Sequence, residues 1–514
     1  MVSPHGILLA THIISSSYGE QCSKVCDCLL RRGALTLGQI IRFTELSKES
    51  VINCLRVLFN QNCVQPFTSQ REGAYDEAPK ILTEYIALFD NIIHKSRARK
   101  FMQIVSEELG SDHGRLSLNR IIERNEQTTA GKSDAIAVKE SFNRLLNFRF
   151  IERCPSPEPF LAPVDEEPSA RRRGAKKGKT EQVQTVEQRV LEAAAPMESL
   201  RFLMEIHSPS EEKIEERNAT VTLGKKRKKE TMIPDEDLTG AVEKKDVMWR
   251  VNYEEFVRRL RDKTRISYVK TRLNDEASIV LSAILELSKN STVRQKAEES
   301  AHLSINAIYD EVIKKDGGVG MDFDRIRASL AQLGCTRSSA DGETYSIDLK
   351  GITEMAQNEE VESVVLKRYG REAYRIFRLL SKAGRFLETD KISDDTFVEK
   401  KDTLKILYKL WKDDVLHMEK ITVNGNKQSV FLLWRVNKQP LFENFRDEMY
   451  HAALNLRLRI IHEQEQAKEV LQLPREKLVG EMEKKYKRFF RVVVILESSI
   501  INLDDVIILF HSFE

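Results

Sequence analysis

The residues best suited to catalysis or metal binding are scattered along this 514-residue chain. Three of its seven cysteines, Cys22, Cys26 and Cys28, lie close together. Cysteine thiolates bind zinc when two pairs occur at a fixed spacing, but here no second pair follows and the pattern places all three on one helix. We therefore interpret them as core or surface thiols and expect no metal site.

Histidines could act as acids, bases or metal ligands, yet they are dispersed and never form the H-E-x-x-H pattern. A glycine-rich run at 317–320 could cradle a phosphate. It lacks the Lys-Ser/Thr of a phosphate-binding loop and follows a helical segment, so a loop between helices is favoured. The sequence predicts no catalytic residues and no cofactor, and an enzyme is the least favoured class.

Nucleic-acid binding is the remaining chemistry, because Lys and Arg side chains neutralise phosphates. The candidate DNA-backbone contacts are cations on two helices and in a basic cluster: Lys48, Arg56, Lys132, Lys139, Arg144, Arg171, Arg172, Arg173, Lys176 and Lys177. A second cluster resembles a nuclear localisation signal and consists of Lys225, Lys226, Arg227, Lys228 and Lys229. Three interpretations of the clusters stay open: nuclear import, contact with a nucleic-acid backbone, or a solvated linker.

Composition limits what these cations can do. The net charge of +3 supplies no global field, so any contact with DNA must come from local patches, and base-specific readout is disfavoured. The length calls for about three to five domains. The first ten residues do not look like a signal peptide, and no apolar run is long enough for a transmembrane helix. We expect a soluble, intracellular protein.

The stretch from Tyr369 to Val436 indicates which elements position such residues. Two segments have the i, i+3, i+4, i+7 spacing of a helix with one apolar face: Ala373, Ile376, Phe377 and Leu380, then Leu404, Leu407, Tyr408 and Trp411. Two strand-like segments follow, 415–423 and 430–434, with an Asn424-Gly425 turn between them. Two helices and a two-stranded wing predict a winged-helix domain.

The same order of amphipathic helix, polar stop and short β segment occurs four times. Leu55, Phe142, Ile326 and Leu407 mark the equivalent helices, at intervals of 87, 184 and 81 residues. The intervals of 87 and 81 residues fit one period of about 85 residues, and the 184-residue interval is this period plus an insertion. We predict a mainly α fold with small β wings: winged helix 1 (1–78), winged helix 2 (79–154), a basic, largely flexible insertion (155–246), winged helix 3 (247–350), winged helix 4 (351–438), and a C-terminal coiled-coil hairpin and tail (439–514).

Local patterns give more detailed expectations. Ser47 is a plausible N-cap for the helix that carries Val51, Cys54, Leu55 and Leu58. One long helix is predicted from Tyr85 to Leu109, and a shorter one from Leu116 to Arg124. Within the insertion, Leu200 to Ile206 is apolar enough to dock on another element. In the last domain, the stepping of apolar residues on both sides of Pro474 predicts two antiparallel helices.

In this order, the motifs resemble the tandem winged-helix subunit of nuclear RNA polymerase III, which is related to the α subunit of the general factor TFIIE. The best matches are Tyr369-Gly370-Arg371, Arg375 to Leu379, Leu404 with Leu407-Tyr408-Lys409, and Phe431 to Asn437, with a second match at Tyr18-Gly19-Glu20 and the Leu30 to Gly33 turn. The resemblance covers nearly the whole chain and is weakest across the basic insertion.

The resemblance implies a non-catalytic nuclear subunit that joins a smaller winged-helix subunit and an acid-tailed subunit on the clamp of the largest polymerase subunit. It also implies contact with a promoter-bound initiation factor and non-specific contact with DNA, and no membrane. One alternative is a free-standing winged-helix regulator, which requires a strongly basic recognition helix. Another is a helical scaffold with a terminal winged helix, as in proteasome-lid-like assemblies.

Overall fold

The structure is a computed structural model that describes residues 2–71, 80–109, 132–161, 184–203, 248–289, 302–338, 343–423, 429–473 and 480–511. Most of these residues are helical and the strands are short, which confirms the predicted fold class. Within them, no helix is both long and apolar enough to cross a membrane. The chain divides into two compact units: unit 1 contains Met1–Gln65, Glu84–Arg99 and Phe256–Glu514, and unit 2 contains Pro66–Thr83 and Lys100–Glu255.

The first module begins with four helices and a short strand. Its elements are α1 (Pro4–Tyr18), α2 (Glu20–Arg32), β1 (Leu35–Thr36), α3 (Leu37–Thr44) and α4 (Lys48–Asn60). Gly19, at φ +89°, makes the sharp turn between α1 and α2, a conformation that L side chains rarely adopt. The Ser47 hydroxyl accepts a hydrogen bond from the Ser50 amide, which confirms it as the N-cap of α4.

The prediction of one long helix from Tyr85 to Leu109 is wrong. The chain instead forms β2 (Val64–Arg71), β3 (Lys80–Ala87), α5 (Phe89–Lys95) and α6 (Ala98–Leu109). Tyr85 pairs with Leu35 of β1 in an antiparallel ladder, so the sheet of the first module extends beyond residue 78. The predicted helix at 116–124 lies outside the described residues. The next elements are α7 (Lys132–Asn147), β4 (Ile151–Arg153) and β5 (Phe160–Leu161).

The predicted insertion, 155–246, contains β5 and further regular structure. It contains α8 (Val186–Ala194), whose N-cap Thr185 accepts from the Gln188 amide, and α9 (Glu198–Arg201). Within unit 2, β5 pairs in parallel with β2, and β4 pairs in antiparallel with β6 (Trp249–Val251). The Arg153 guanidinium donates to the Leu203 carbonyl at 2.7 Å, so the described part of the 200–206 segment is docked.

The third module has a core of its own. It consists of α10 (Tyr253–Arg272), α11 (Asp275–Lys289), β7 (Leu303–Ser304), α12 (Ile305–Ile313), α13 (Phe323–Gln332), β8 (Thr336–Ser338) and β9 (Thr344–Ser346). The three strands form a sheet in the order β7-β9-β8. Leu281, Ile308, Ile326 and Leu330 are buried at its centre, so the face that carries Ile326 and Leu330 is the core side of α13.

The fourth module has the two helices and the hairpin predicted for it, but Leu404, Tyr408 and Trp411 of the predicted apolar face are exposed. It consists of α14 (Leu349–Tyr369), α15 (Arg371–Ala383), β10 (Leu387–Glu388), α16 (Thr389–Thr396), α17 (Lys400–Lys412), β11 (His417–Val423) and β12 (Ser429–Arg435). The predicted hairpin is confirmed by antiparallel pairing from His417 with Arg435 to Val423 with Ser429. Its turn at 424–428 lies outside the described residues. Trp434 is fully buried, and its indole Nε1 donates to the Thr389 hydroxyl at 2.9 Å.

Two long helices follow, as the sequence predicts. They are α18 (Lys438–Gln466) and α20 (Glu481–Phe510), with the short α19 (Lys468–Leu471) between them. Phe442, near the start of α18, packs edge to face on Phe510, at the end of α20, with ring centroids 5.4 Å apart. The helices are therefore antiparallel. Pro474 lies outside the described residues.

One apolar core joins the first module, the fourth module and the two long helices. Within it, α1 packs on α18. The His5 amide and its Nδ1 contact the two carboxylate oxygens of Asp447 at 2.9 and 2.7 Å. Gly6 is small enough for this approach, since an added Cβ would lie 3.2 Å from a ring carbon of Tyr450. Full burial of each leucine, isoleucine or phenylalanine contributes roughly 1.5–3 kcal/mol.

Candidate nucleic-acid interface

In the first module, α4 occupies the recognition-helix position. Its core face holds Val51, Cys54, Leu55 and Leu58, all buried. The opposite face leaves the side chains of Lys48 and Arg56 exposed, as a phosphate contact requires. Val57 and Phe59 are exposed beside them, 39 % and 38 % respectively, and Glu49 opposes the cations. This face can make two phosphate contacts, but it also carries an apolar surface that suits protein contact.

In unit 2, α7 carries three of the candidate cations. Lys132 and Lys139 lie on its first turns, and Arg144 lies near its end with an exposed side chain. The side chains of Lys132 and Lys139 are outside the described residues. So are Arg171 to Arg173, Lys176 and Lys177, and the cluster 225–229. Of the candidates whose side chains the structure describes, Lys48 and Arg56 share α4, and Arg144 belongs to α7.

The recognition helix of the fourth module, α17, carries exposed lysines beside an exposed apolar stripe. Lys400 pairs with Asp390 at 3.3 Å and Lys405 with Asp402 at 3.0 Å, while the Lys409 ammonium lies 5.3 Å from the Tyr369 ring centroid. Beside these lysines runs an exposed stripe of Leu404, Tyr408 and Trp411, at i, i+4 and i+7. An apolar stripe of this kind on a helix fits the contact of one protein with another.

In the third module, α13 has its positive charges neutralised locally. Arg325 pairs with Glu276 at 2.6 Å, and Arg327 pairs with Asp324 at 3.3 Å and with Glu343 at 2.9 Å. A hydrogen bond from Arg327 lowers the pKa of the Glu343 carboxyl below its usual value. Desolvation opposes this shift, and the charges of Arg327 and Arg337 add to it. Ion pairs therefore offset the positive charges of Arg325 and Arg327 on α13.

Comparison with known proteins gives a consistent result for all of these modules. The sequence model of the protein family "RNA polymerase III subunit RPC82" matches residues 140–375. The model of the helix-turn-helix domain of that subunit matches residues 8–69, and the model of the C-terminal winged-helix domain of POLR3C matches residues 361–436.

Similarity extends over most of the chain in individual relatives. The DNA-directed RNA polymerase III subunit RPC3 of Danio rerio is 24 % identical over 493 residues, covering 91 % of this chain and 85 % of the relative. The rpc3 subunit of Dictyostelium discoideum is 21 % identical over 665 residues, covering 98 % and 99 %. The RPC3 subunit of Homo sapiens is 22 % identical over 488 residues, covering 88 % and 83 %.

The chain belongs to the RPC82 family of RNA polymerase III subunits. Membership identifies it as a non-catalytic subunit and not as part of the catalytic core of the enzyme. It also disfavours the free-standing regulator. The two terminal models coincide with modules of the structure, since 8–69 covers most of α1 through β2 and 361–436 covers α15 through β12.

Five of the seven cysteines lie in the core of the first module. Cys22, Cys26, Cys54 and Cys63 are all buried. Burial, with the nearby Lys95 opposing it, raises the pKa of the Cys63 thiol to about 11, and burial together with a hydrogen bond to Cys22 raises that of Cys54 to about 12. Such thiols are protonated and unreactive at neutral pH. In the described residues, no group of His, Cys, Asp and Glu side chains could hold a metal ion.

Sequence reasoning missed a charged cluster in unit 2. The Glu152 carboxylate is 3 % exposed and accepts from Arg201 at 2.6 Å and from Arg250 at 2.7 Å. Arg201 also pairs with Glu254 at 2.9 Å. Burial disfavours the charged form of Arg201, but Glu152 and Glu254 outweigh it and raise its pKa. The cluster fastens α9 to the β4–β6 ladder. The hint in the sequence was a charged residue directly after the strand-like segment 148–151.

A second missed cluster holds α20 against α5 within unit 1. The Arg97 guanidinium pairs with Asp504 at 2.7 Å and donates to His94 Nδ1 at 2.8 Å. The His94 and His511 rings lie 6.1 Å apart. Burial, followed by the charge of Arg97, lowers the pKa of His94 well below its usual value, and burial also lowers that of His511. Both histidines are therefore neutral at pH 7.

Proposed function

We propose that the chain is a scaffold subunit of nuclear RNA polymerase III that supports transcription initiation and promoter opening. In this proposal it joins a smaller winged-helix subunit and an acid-tailed subunit on the clamp of the largest subunit, and it contacts a promoter-bound initiation factor. Its contacts with DNA are non-specific. Protein contacts carry most of the binding energy.

The observation that supports this role most directly is the chemistry of the recognition helices. On α17, Lys400 and Lys405 pair with aspartates, while Leu404, Tyr408 and Trp411 are exposed together. Base readout needs Arg, Lys, Asn or Gln side chains that reach base edges from a face with excess positive charge. An aromatic and aliphatic face instead resembles the anchors of protein interfaces. A scaffold fits these helices better than a regulator does.

We further propose that the chain comprises four winged-helix modules, a charged insertion after the second, and the C-terminal hairpin. The proposed boundaries are those predicted from the sequence, with the first module extended through β3 because Glu84 and Tyr85 pair with β1. Limited proteolysis of the assembled polymerase, read by mass spectrometry, tests this layout. Cleavage is expected to concentrate between the proposed modules, and abundant cleavage within them would contradict it.

Affinity purification of the chain from its own cells, followed by mass spectrometry, tests the role. The proposal expects the large subunits of RNA polymerase III in stoichiometric amount, and nuclear localisation of the tagged chain. Recovery of the chain alone, with tight binding to one DNA sequence, would favour the free-standing regulator. Replacing the five basic residues 225–229 with alanine is expected to reduce nuclear import, and unchanged import would leave that cluster without this role.

Non-specific DNA contact is tested by the salt dependence of binding. In the assembled polymerase, replacing Lys48 and Arg56 together with alanine should weaken binding about equally on unrelated sequences. The slope of log K against log salt should become shallower by about one for each phosphate that is no longer neutralised. Lys314→Ala is the control, since this exposed lysine belongs to another helix end and pairs with Glu311. An unchanged slope would remove α4 from the DNA path.

A further inference from the structure

The N-terminal half of α20 carries more apolar side chains than the elements packed against it bury. From Phe489 to Leu496 every residue of α20 except Arg491 is apolar, so apolar side chains surround the helix. A helix with this pattern is normally buried on all sides. Yet from Glu481 to Val506, all within the described chain, no side chain is fully buried.

Only one side of this helix faces α18. Phe489, Val493 and Leu496 are half-buried and share one face, as expected for a seam with a single partner helix. Phe490, Val494 and Ile495 lie outside that seam and are 57 %, 49 % and 59 % exposed. Tyr486 stacks on Phe490, with ring centroids 6.2 Å apart, and lengthens the exposed surface by one turn.

Positive charge borders this surface. Lys484 and Lys487 have local partners in Glu481 and Glu483, at 3.2 and 2.6 Å. Lys485, Arg488 and Arg491 are exposed, and in the described parts of the chain no carboxylate lies within 4.0 Å of their charged groups. An occupant of this surface must therefore supply both apolar side chains and negative charge.

We propose that the surface formed by Tyr486, Phe490, Val494 and Ile495 is a docking site for an acidic amphipathic helix of another subunit, which completes a three-helix bundle with α18 and α20. A second copy of this chain fits poorly, because it would bring Lys485, Arg488 and Arg491 against the same cations. Nucleic acid fits poorly as well, because Val494 and Ile495 offer it neither a stacking ring nor a donor. The inference rests on the proposed function, since the partner is sought within the assembled polymerase.

Hydrogen–deuterium exchange and photo-cross-linking on the intact polymerase test the proposal together. Amides of 486–501 are expected to exchange at least about tenfold more slowly in the purified polymerase than in the isolated chain. A photoreactive residue at position 494 is expected to cross-link to a segment of another subunit with net negative charge and helical apolar spacing. The same residue at Val319, which is 79 % exposed in the third module, serves as the control.

Phe490→Glu is expected to weaken that cross-link at least about tenfold, since a central aromatic anchor carries much of an interface. Folding is not at issue, because Phe490 is mostly exposed. Unprotected amides, or cross-links only to this chain, to a second copy or to nucleic acid, would overturn the docking site. If the chain with the photoreactive residue at position 319 also fails to purify with polymerase subunits, the proposed function fails. Failure of the docking site and failure of the proposed function are therefore distinguishable.

Discussion

The Glu152 cluster allows a quantitative test of how unit 2 is held together. Replacing Glu152 with glutamine keeps the size of the side chain but removes the charge that neutralises Arg201 and Arg250. These arginines are 15 % and 22 % exposed, so both keep much of their desolvation cost while losing the carboxylate that they share, although Arg201 retains Glu254. Removing one member of a buried ion pair costs about 3–5 kcal/mol, and partial exposure of the arginines reduces this to about 2–3 kcal/mol.

Hydrogen–deuterium exchange of the full chain measures this loss locally. Amides of the β4–β6 ladder and of α9 are expected to exchange about 30- to 150-fold faster in Glu152→Gln, because each 1.4 kcal/mol is a factor of ten. Glu198→Gln is the matched control. Glu198 pairs with the same Arg201 at 3.7 Å but is 72 % exposed, so about fivefold or less is expected. Similar small changes in both variants would refute the reasoning.

Three further outcomes follow from the histidines, the thiols and the helix cap of unit 1. The pKa values of His94 and His511 lie below the value of an unfolded histidine. The stability of α20 docking should therefore be complete above about pH 6.5 and fall as the pH drops below it. Amide exchange at about pH 5, corrected for intrinsic rates, should be faster as a result. The Cys54 and Cys63 thiols should alkylate at pH 8 far more slowly in the folded chain than in urea; equal rates would contradict their burial. Ser47→Ala should cost α4 about 1 kcal/mol, measured by exchange of its first-turn amides, and no change would dismiss the cap.

The sequence predicted elements best where local pattern and tertiary environment agree. The Ser47 cap and the alternation of helix and hairpin in the fourth module depend on neighbours within a few residues. The strand at Tyr85 was missed because its partner, Leu35, lies 50 residues away and contributes a strand of only two residues. Apolar spacing around Phe89 and Ile92 continued smoothly into a helix, so nothing local marked the change.

The candidate sites were harder to predict than the fold. Lys48 and Arg56 were correctly placed on an exposed helix face, but exposure is common to most lysines and arginines. The Glu152 cluster depends on chain segments about 50 and 100 residues away from it. In α8, the Thr185 cap with Gln188 was a readable signal, yet the prolines and basic residues around it suggested only a flexible insertion.

The contact of α1 with α18 also constrains how the protein is made. His5 and Asp447 are 442 residues apart, so a ribosome that adds roughly 5–20 residues per second needs about 20–90 s to supply the second after the first. During that time the surface around Gly6 has no partner helix. Nascent chains, and chains cut short before α18, therefore expose an apolar surface to aggregation and to chaperones. The first module is completed only after α18 has been synthesised.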